Sequence, residues 1–336
     1  MRTISNKICE FLRLFRLHTA AATASALLIG GLIMGQRDIS ALVVLFVLGI
    51  LYHIFGFVLN EYIDINVDKK SIDLKDKPLV SGSISKKQAL LIVIISIFCC
   101  YVLILFFFRS IYTLSFFSLS LIFGGIYDIC GKKILGLDFV LAGGFFFLCL
   151  TGSSTMSIDF NLLIYLFCLL YFFQIVYNNA VEGGLKDVGH DSTAGAKTLA
   201  SFMGVTVEKG ILRITKSFTV FSYALRFIFL GLIVILGLQP QLLFWSDKHI
   251  FEITIIVLLA AVYFTTLFSF LRNMKFERAR LKKIFSINEM VSFFMVLVVL
   301  SPLIGSYLTV FLIILPAVWY LAFNVVLYGK LLEPRV

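Results

Sequence analysis

The sequence predicts an all-α fold, a polytopic membrane helical bundle of nine to ten spans around a central cavity. Three observations support it. Of the 336 residues, 60% are hydrophobic and only 14% charged, and the mean hydropathy of +1.01 lies far above that of a soluble domain. Apolar runs recur at about the 20-residue length that a helix needs to cross a bilayer. The basic residues gather in alternate connections between those runs.

At the N-terminus, residues 1–17 (MRTISNKICEFLRLFRL) interleave charged with apolar residues where a cleaved signal would need an unbroken apolar core, so they read as an interfacial amphipathic helix. Spans fall near 18–35, 41–59, 88–108, 111–127, 138–156, 161–180, 214–237, 251–271, 287–306 and 309–328. Ser301 and Pro302 lie inside the ninth, which leaves 287–328 open to a second reading as one broken span with a re-entrant piece. Arg2, Lys7, Arg13 and Arg16 precede the first span. Lys69, Lys70, Lys75, Lys77, Lys86 and Lys87 follow the second. Lys132, Lys133, Lys186, Lys197 and the set Arg272, Lys275, Arg278, Arg280, Lys282 and Lys283 complete one face of ten alternating spans. The positive-inside tendency makes that face cytoplasmic, together with both termini. The formal charge of +10 is then chiefly topological, with attraction to anionic lipid or a phosphorylated substrate second. The six cysteines have no metal-ligand spacing and read as small packing residues.

Against this background the stretch NEYIDINVDKK, residues 60–70, stands out at the end of the second apolar run. Asn60, Asp64 and Asp68 recur every fourth residue, so a helix continued past its membrane end projects them from one face in succession. Carboxylates at a membrane boundary are costly unless compensated, which sets them apart from a solvated surface helix. A second copy follows the sixth span: in NNAVEGGLKDVGHDSTAGAKT, Asp187 and Asp191 are again four apart, and Asn179 precedes Asp187 by eight, as Asn60 precedes Asp68. Both patterns follow even-numbered spans and face the same compartment, as a divided metal site requires. Carboxylate clusters of this kind suit Mg²⁺, which bridges protein oxygens to substrate phosphates. Lys77, Lys186 and Lys197 are available to neutralise a diphosphate, and the implied substrate is an organic diphosphate with an apolar tail.

Three rival classes are weaker. A cation-coupled membrane transporter using boundary aspartates is the main alternative, but it predicts acids buried at mid-span. CDP-alcohol phosphotransferases carry one contiguous acid signature with glycine and arginine, and no such run occurs here. A non-catalytic assembly protein does not need a duplicated acid pattern.

The residues resemble the UbiA superfamily of intramembrane prenyltransferases. NEYIDINVD resembles its first signature and KDVGHD its second; DLKDKPLVSGSIS, STAGAKTLA, YDICGKKILGLDFVLAG and RLFRLHT are similar to its flanking elements. The resemblance covers roughly residues 10 to 210 and departs at Lys77, Val80, Gly183 and Gly184. It implies that Asn60, Asp64, Asp68, Asp187 and Asp191 hold Mg²⁺ against a polyprenyl diphosphate, with Lys77, Lys197, Arg16 and Lys132 binding substrate. It also places Tyr127 and Asp138 at matching positions, and gives Tyr127 a ring that shields a carbocation. Glu61 and Glu182 neighbour the motifs as either supporting or solvated groups. Asp73 and Asp76 read as capping or solvated, and His190 as a solvated loop residue with a proton acceptor as the alternative. A single integral membrane prenyltransferase domain is expected over 1–336, with cytoplasmic cap loops at 60–87 and 181–205. The expected reaction moves a polyprenyl group to an aromatic quinone precursor or a glycerol phosphate lipid acceptor, with membrane lipid and no nucleic acid as partners.

Overall fold

The computed structural model describes residues 2–69, 74–131, 133–329 and 331, and among them the side chains other than those of 2–6, 67 and 190–194. Helices dominate, and each of the ten apolar runs forms one. In chain order they are α1 (Arg2–Leu14), α2 (Ala20–Ile33), α3 (Ile39–Asp68), the short α4 (Pro78–Ser81), α5 (Lys86–Leu103), α6 (Ile111–Cys130) and α7 (Asp138–Ser153). Then come α8 (Leu162–Val176), α9 (Gly184–Ala194), α10 (Leu199–Phe202), α11 (Lys216–Gly237), α12 (Ile250–Phe270), α13 (Arg278–Ile304) and α14 (Ser306–Tyr328). Among the described residues, eight helices are long and apolar enough to cross a membrane, and nine if the pair Lys7–Leu14 and Leu17–Ile33, bent by 50°, is one broken span. The 16-residue α7 is apolar but shorter. The run 287–328 forms two helices separated at Gly305, whose φ of 88° is one that glycine adopts freely, and each helix is long and apolar enough to cross a membrane.

The length of α3 has a direct consequence. Thirty residues rise about 45 Å, more than the roughly 30 Å of hydrocarbon, so the polar end of this helix emerges from the apolar layer.

The chain divides into two compact units. The first comprises 1–129, 147–159 and 311–336. In it α2 packs against α3 and the end of α7 through small residues, the device that lets membrane helices approach closely. A Cβ on Gly49 would lie 2.3 Å from the Ala24 Cα, and one on Gly152 would lie 2.1 Å from the Leu27 carbonyl oxygen.

The second unit comprises 130–146 and 160–310. Here α8 runs into a π-helical turn, Tyr177–Gly183, before α9 begins. The sequence pattern gives no sign of the small antiparallel sheet that follows: β1 (Thr206–Glu208), β2 (Ile211–Arg213) and β3 (Met274–Lys275), in that order. Lys209 and Gly210 are both left-handed, at φ 51° and 77°, as a two-residue hairpin turn demands. Beneath the sheet, Val181, Leu185, Leu199, Phe218, Phe270 and Phe285 belong to one apolar core. The sheet pins the entry to α13 beside the exit from α9.

Gly152→Val is expected to lower stability in detergent by about 1–3 kcal/mol, because the helix pair has no room for the added atoms. Gly56→Ala, where no heavy atom lies within 4 Å of the new Cβ, is expected to be neutral or mildly stabilising. Thermal melts of the two purified variants check the contrast.

Candidate active site

In the first unit, α3 carries Asn60, Asp64 and Asp68 in one continuous helix, as the spacing predicts. Asp64 and Asp68 are buried, and Asn60 is half-buried. The Asn60 amide donates at 3.5 Å to Asp128 near the end of α6, and Asp64 lies within electrostatic reach of the same carboxylate. Asp68 accepts from the Lys77 ammonium at 2.8 Å, and Lys77 is itself only 8% exposed. Local sequence explains the position of Lys77. It is the extended N-cap of α4, with Pro78 at the first helical position and left-handed Gly82 ending the turn.

Arg16 completes this set. It holds a left-handed conformation, φ 45° and ψ 43°, at the break between α1 and the following 3₁₀ turn Leu17–Thr19. Such a backbone costs a non-glycine residue about 1–3 kcal/mol and persists only where its surroundings fix it. Its guanidinium reaches Glu61 at 3.4 Å and lies 4.9 Å from the centroid of the Phe57 ring, while its carbonyl meets His53 Nε2 at 3.2 Å. Glu61 is 2% exposed and stands 3.9 Å from Lys77, so it is a buried charge partner and not a solvated one. Tyr127 is half-buried beside Asp128 in the chain.

In the second unit, Asp187 in the first turn of α9 is held by Arg278 at 2.7 Å and lies 3.9 Å from Lys186. Arg278 is the first residue of α13, three residues after β3, and this pairing gives the small sheet its purpose. Glu182 is also buried, 3.6 Å from the fully buried Arg226. The reading of Glu182 as solvated therefore fails as well. Lys197 and Asp76 are exposed, and Asp138 opens α7 half-buried. Lys132 and Asp73 lie outside the described residues, as do the side chains of His190 and Asp191.

Sequence reasoning missed four groups. Asp128 stands next to Tyr127 at the end of an apolar helix, and an acid there was a signal. Arg226 and Glu289 are charges inside apolar runs, which default to function in a membrane. Arg278 lies in a basic cluster, and no local feature marks it among its neighbours.

The family model described as the UbiA prenyltransferase family matches residues 22–275. The chain belongs to the UbiA prenyltransferase family. It is an integral membrane prenyltransferase, and the transporter alternative falls away. Among solved structures, a UbiA homolog from Archaeoglobus fulgidus bound to GPP and Mg²⁺ is 18% identical, with a TM-score of 0.63 over 86% of this chain and 99% of that one. The apo UbiA homolog from Aeropyrum pernix K1 is 14% identical, with a TM-score of 0.62 over 84% of this chain and 98% of that one. A structure concerning digeranylgeranylglyceryl phosphate synthase in membranes is 21% identical, with a TM-score of 0.58 over 87% of this chain and 98% of that one. At these identities the likeness is one of fold. No curated protein matches the chain in sequence.

Removing the buried lysine with Lys77→Met leaves Asp68 without its cation, while Glu61 keeps Arg16, and is expected to cost about 3 kcal/mol or more. Lys197→Met, at an exposed position, is expected to stay within about 0.5 kcal/mol of the parent. Melting temperatures in one detergent compare them.

Proposed function

We propose that this UbiA-family enzyme transfers a polyprenyl group from an allylic polyprenyl diphosphate to an aromatic quinone precursor or a glycerol phosphate lipid, releasing diphosphate on the cytoplasmic side of the membrane. The observation that carries the reading is the all-oxygen set at the ends of α3 and α6, where Asn60, Asp64, Asp68 and Asp128 stand beside a buried lysine. That donor chemistry fits Mg²⁺, with no cysteine or histidine in the set to favour a softer ion. Among the described residues no group of three or more His, Cys, Asp or Glu is gathered to hold an ion alone. Mg²⁺ does not need one, because one or two carboxylates, waters and substrate phosphates commonly suffice. The UbiA homologs solved with GPP or DMAPP and Mg²⁺ support the donor class and the metal.

In this reading Asn60, Asp64 and Asp68 of α3 and Asp187 and Asp191 of α9 hold the metal. Bound there, it would neutralise the diphosphate and favour its departure from the allylic carbon. Lys77, Lys197, Arg16 and Lys132 bind the phosphate oxygens. Lys77 is suited to this because its ammonium already rests on Asp68, so that positive charge is stored, desolvated, where the leaving group collects. Tyr127, half-buried beside Asp128 in the chain, is the ring that would shield the positive charge developing as the bond breaks. The basic connections between spans support the cytoplasmic orientation, and the fold shared with a structure concerning digeranylgeranylglyceryl phosphate synthase is a precedent for the glycerol phosphate lipid acceptor.

Purified protein given geranylgeranyl diphosphate, Mg²⁺ and either 4-hydroxybenzoate or geranylgeranylglyceryl phosphate tests the reading by diphosphate release and product mass. Prenylated product with one acceptor, lost on adding EDTA, is expected; turnover that survives EDTA would contradict the metal's role. Asp64→Asn and Asp187→Asn should each lower turnover at least about a hundredfold, the scale of a few kcal/mol of charge stabilisation, with unchanged melting behaviour.

A further inference from the structure

Within the second unit a chain of polar side chains runs from a buried cation to an exposed anion, all of it on helices long and apolar enough to cross a membrane. Arg226, midway along α11, is 1% exposed. Its guanidinium lies 3.3 Å from the centroid of the Tyr177 ring and 4.8 Å from that of Tyr263, and it donates to Asn288 of α13. Asn288 in turn donates to the Thr266 hydroxyl at 2.8 Å, so the arginine is locked to α12 and α13. Its Nη1 donates at 2.8 Å to Gln174 Oε1 near the end of α8. Gln174 Nε2 donates at 2.6 Å to Asn178 Oδ1, in the π-helical turn ahead of α9. Asn178 Nδ2 donates to Glu289 Oε1 on α13.

The direction of this chain is fixed by chemistry. A guanidinium has no acceptor, so Gln174 must present its carbonyl to Arg226 and its amide hydrogens to Asn178. The same logic then turns the Asn178 amide hydrogens toward Glu289. Glu289 is left as an acceptor at both ends: one oxygen is occupied by Asn178, and the other has no hydrogen-bond partner among the described residues. Glu289 is nonetheless exposed, within a helix that spans the membrane. A carboxylate facing hydrocarbon there would be costly, which argues for a polar surrounding. It lies eleven residues, about 16 Å along α13, from the Arg278 that holds Asp187, and Lys186 is within its electrostatic reach.

We propose that Glu289 recognises the acceptor: its outward oxygen takes a hydrogen bond from an acceptor hydroxyl, and Arg226, Gln174 and Asn178 hold it in that orientation. The assignment rests on the prenyl-transfer reading and deepens it. The chemical class it selects is a neutral hydroxyl, phenolic or alcoholic, presented first. An acceptor's carboxylate or phosphate is repelled by the same oxygen and has to point away. Glu289 is therefore a specificity-determining residue, and its three supports are positioning residues.

Glu289→Gln is a near-isosteric test with an unusual consequence. Asn178 claims the new carbonyl, so the substituted amide turns its hydrogens outward and offers a donor where the hydroxyl needs an acceptor. Steady-state kinetics of the detergent-purified full chain would be measured with geranylgeranyl diphosphate, Mg²⁺ and, in separate arms, 4-hydroxybenzoate and geranylgeranylglyceryl phosphate. In the arm the wild type uses, the acceptor KM should rise about tenfold to a hundredfold, the effect of one hydrogen bond to a charged group, with donor KM and Mg²⁺ dependence unchanged. Gln174→Leu, which cuts the chain without touching Glu289, should raise the acceptor KM by a smaller factor and leave the donor KM alone. An unchanged acceptor KM in Glu289→Gln, or an equal rise for donor and acceptor, overturns the assignment while leaving prenyl transfer standing. Metal-dependent donor binding by the wild type without turnover in either arm counts against a hydroxyl acceptor and so against the assignment. Absence of donor binding overturns the prenyl-transfer reading itself.

Discussion

Acids at the end of an apolar helix must be compensated from elsewhere in the chain, and this constraint shapes both units. Asp68 and Glu61 depend on Lys77 and Arg16, Asp187 on Arg278, and Glu182 on Arg226. In each case the cation arrives on a different element from the acid. A helix break at Arg16, the short proline-started α4 and the strand before α13 exist at the places where those cations must be delivered. The buried pairs, those of Lys77 and Arg226, add little net stability over apolar packing, yet losing one partner is severe, so they fix a single arrangement, whereas the Asp187–Arg278 pair is partly exposed and its loss costs little.

The arrangement also prepares the chemistry proposed for it. Carboxylates that accept from lysine or arginine present ordered oxygens and stored positive charge within a few ångströms of one another. A metal with a diphosphate adds one divalent cation and several anionic oxygens to such a set and needs little reorganisation from the protein. Preorganisation of this sort is how electrostatic sites lower barriers.

Much of this was legible in the sequence. The ten apolar runs all became helices because run length and hydropathy are properties of the segment alone. Asn60, Asp64 and Asp68 share a continuous helix because four-residue spacing is local too, and α3 is long enough to carry them beyond the hydrocarbon. What escaped notice was long-range. Arg278 reaches Asp187 across 91 residues, and nothing near either residue announces the other. Asp128 meets Asn60 only because α6 packs where it does. The strands of two and three residues are shorter than any alternation pattern, and the π-helical turn before α9 leaves no compositional mark. The solvated reading of Glu61 and Glu182 failed for the same reason: helix phase alone cannot show that a distant cation has come to meet an acid.

The most direct measurement is equilibrium binding of geranylgeranyl S-thiolodiphosphate, an unreactive donor analogue, titrated against Mg²⁺ in the parent and in Asp64→Asn. The account predicts tight binding that requires the metal in the parent and is weakened by at least about tenfold in the variant, since one charged ligand is worth roughly 1.4 kcal/mol or more. Binding that is equally tight without Mg²⁺, or indifferent to the loss of the Asp64 charge, would contradict it.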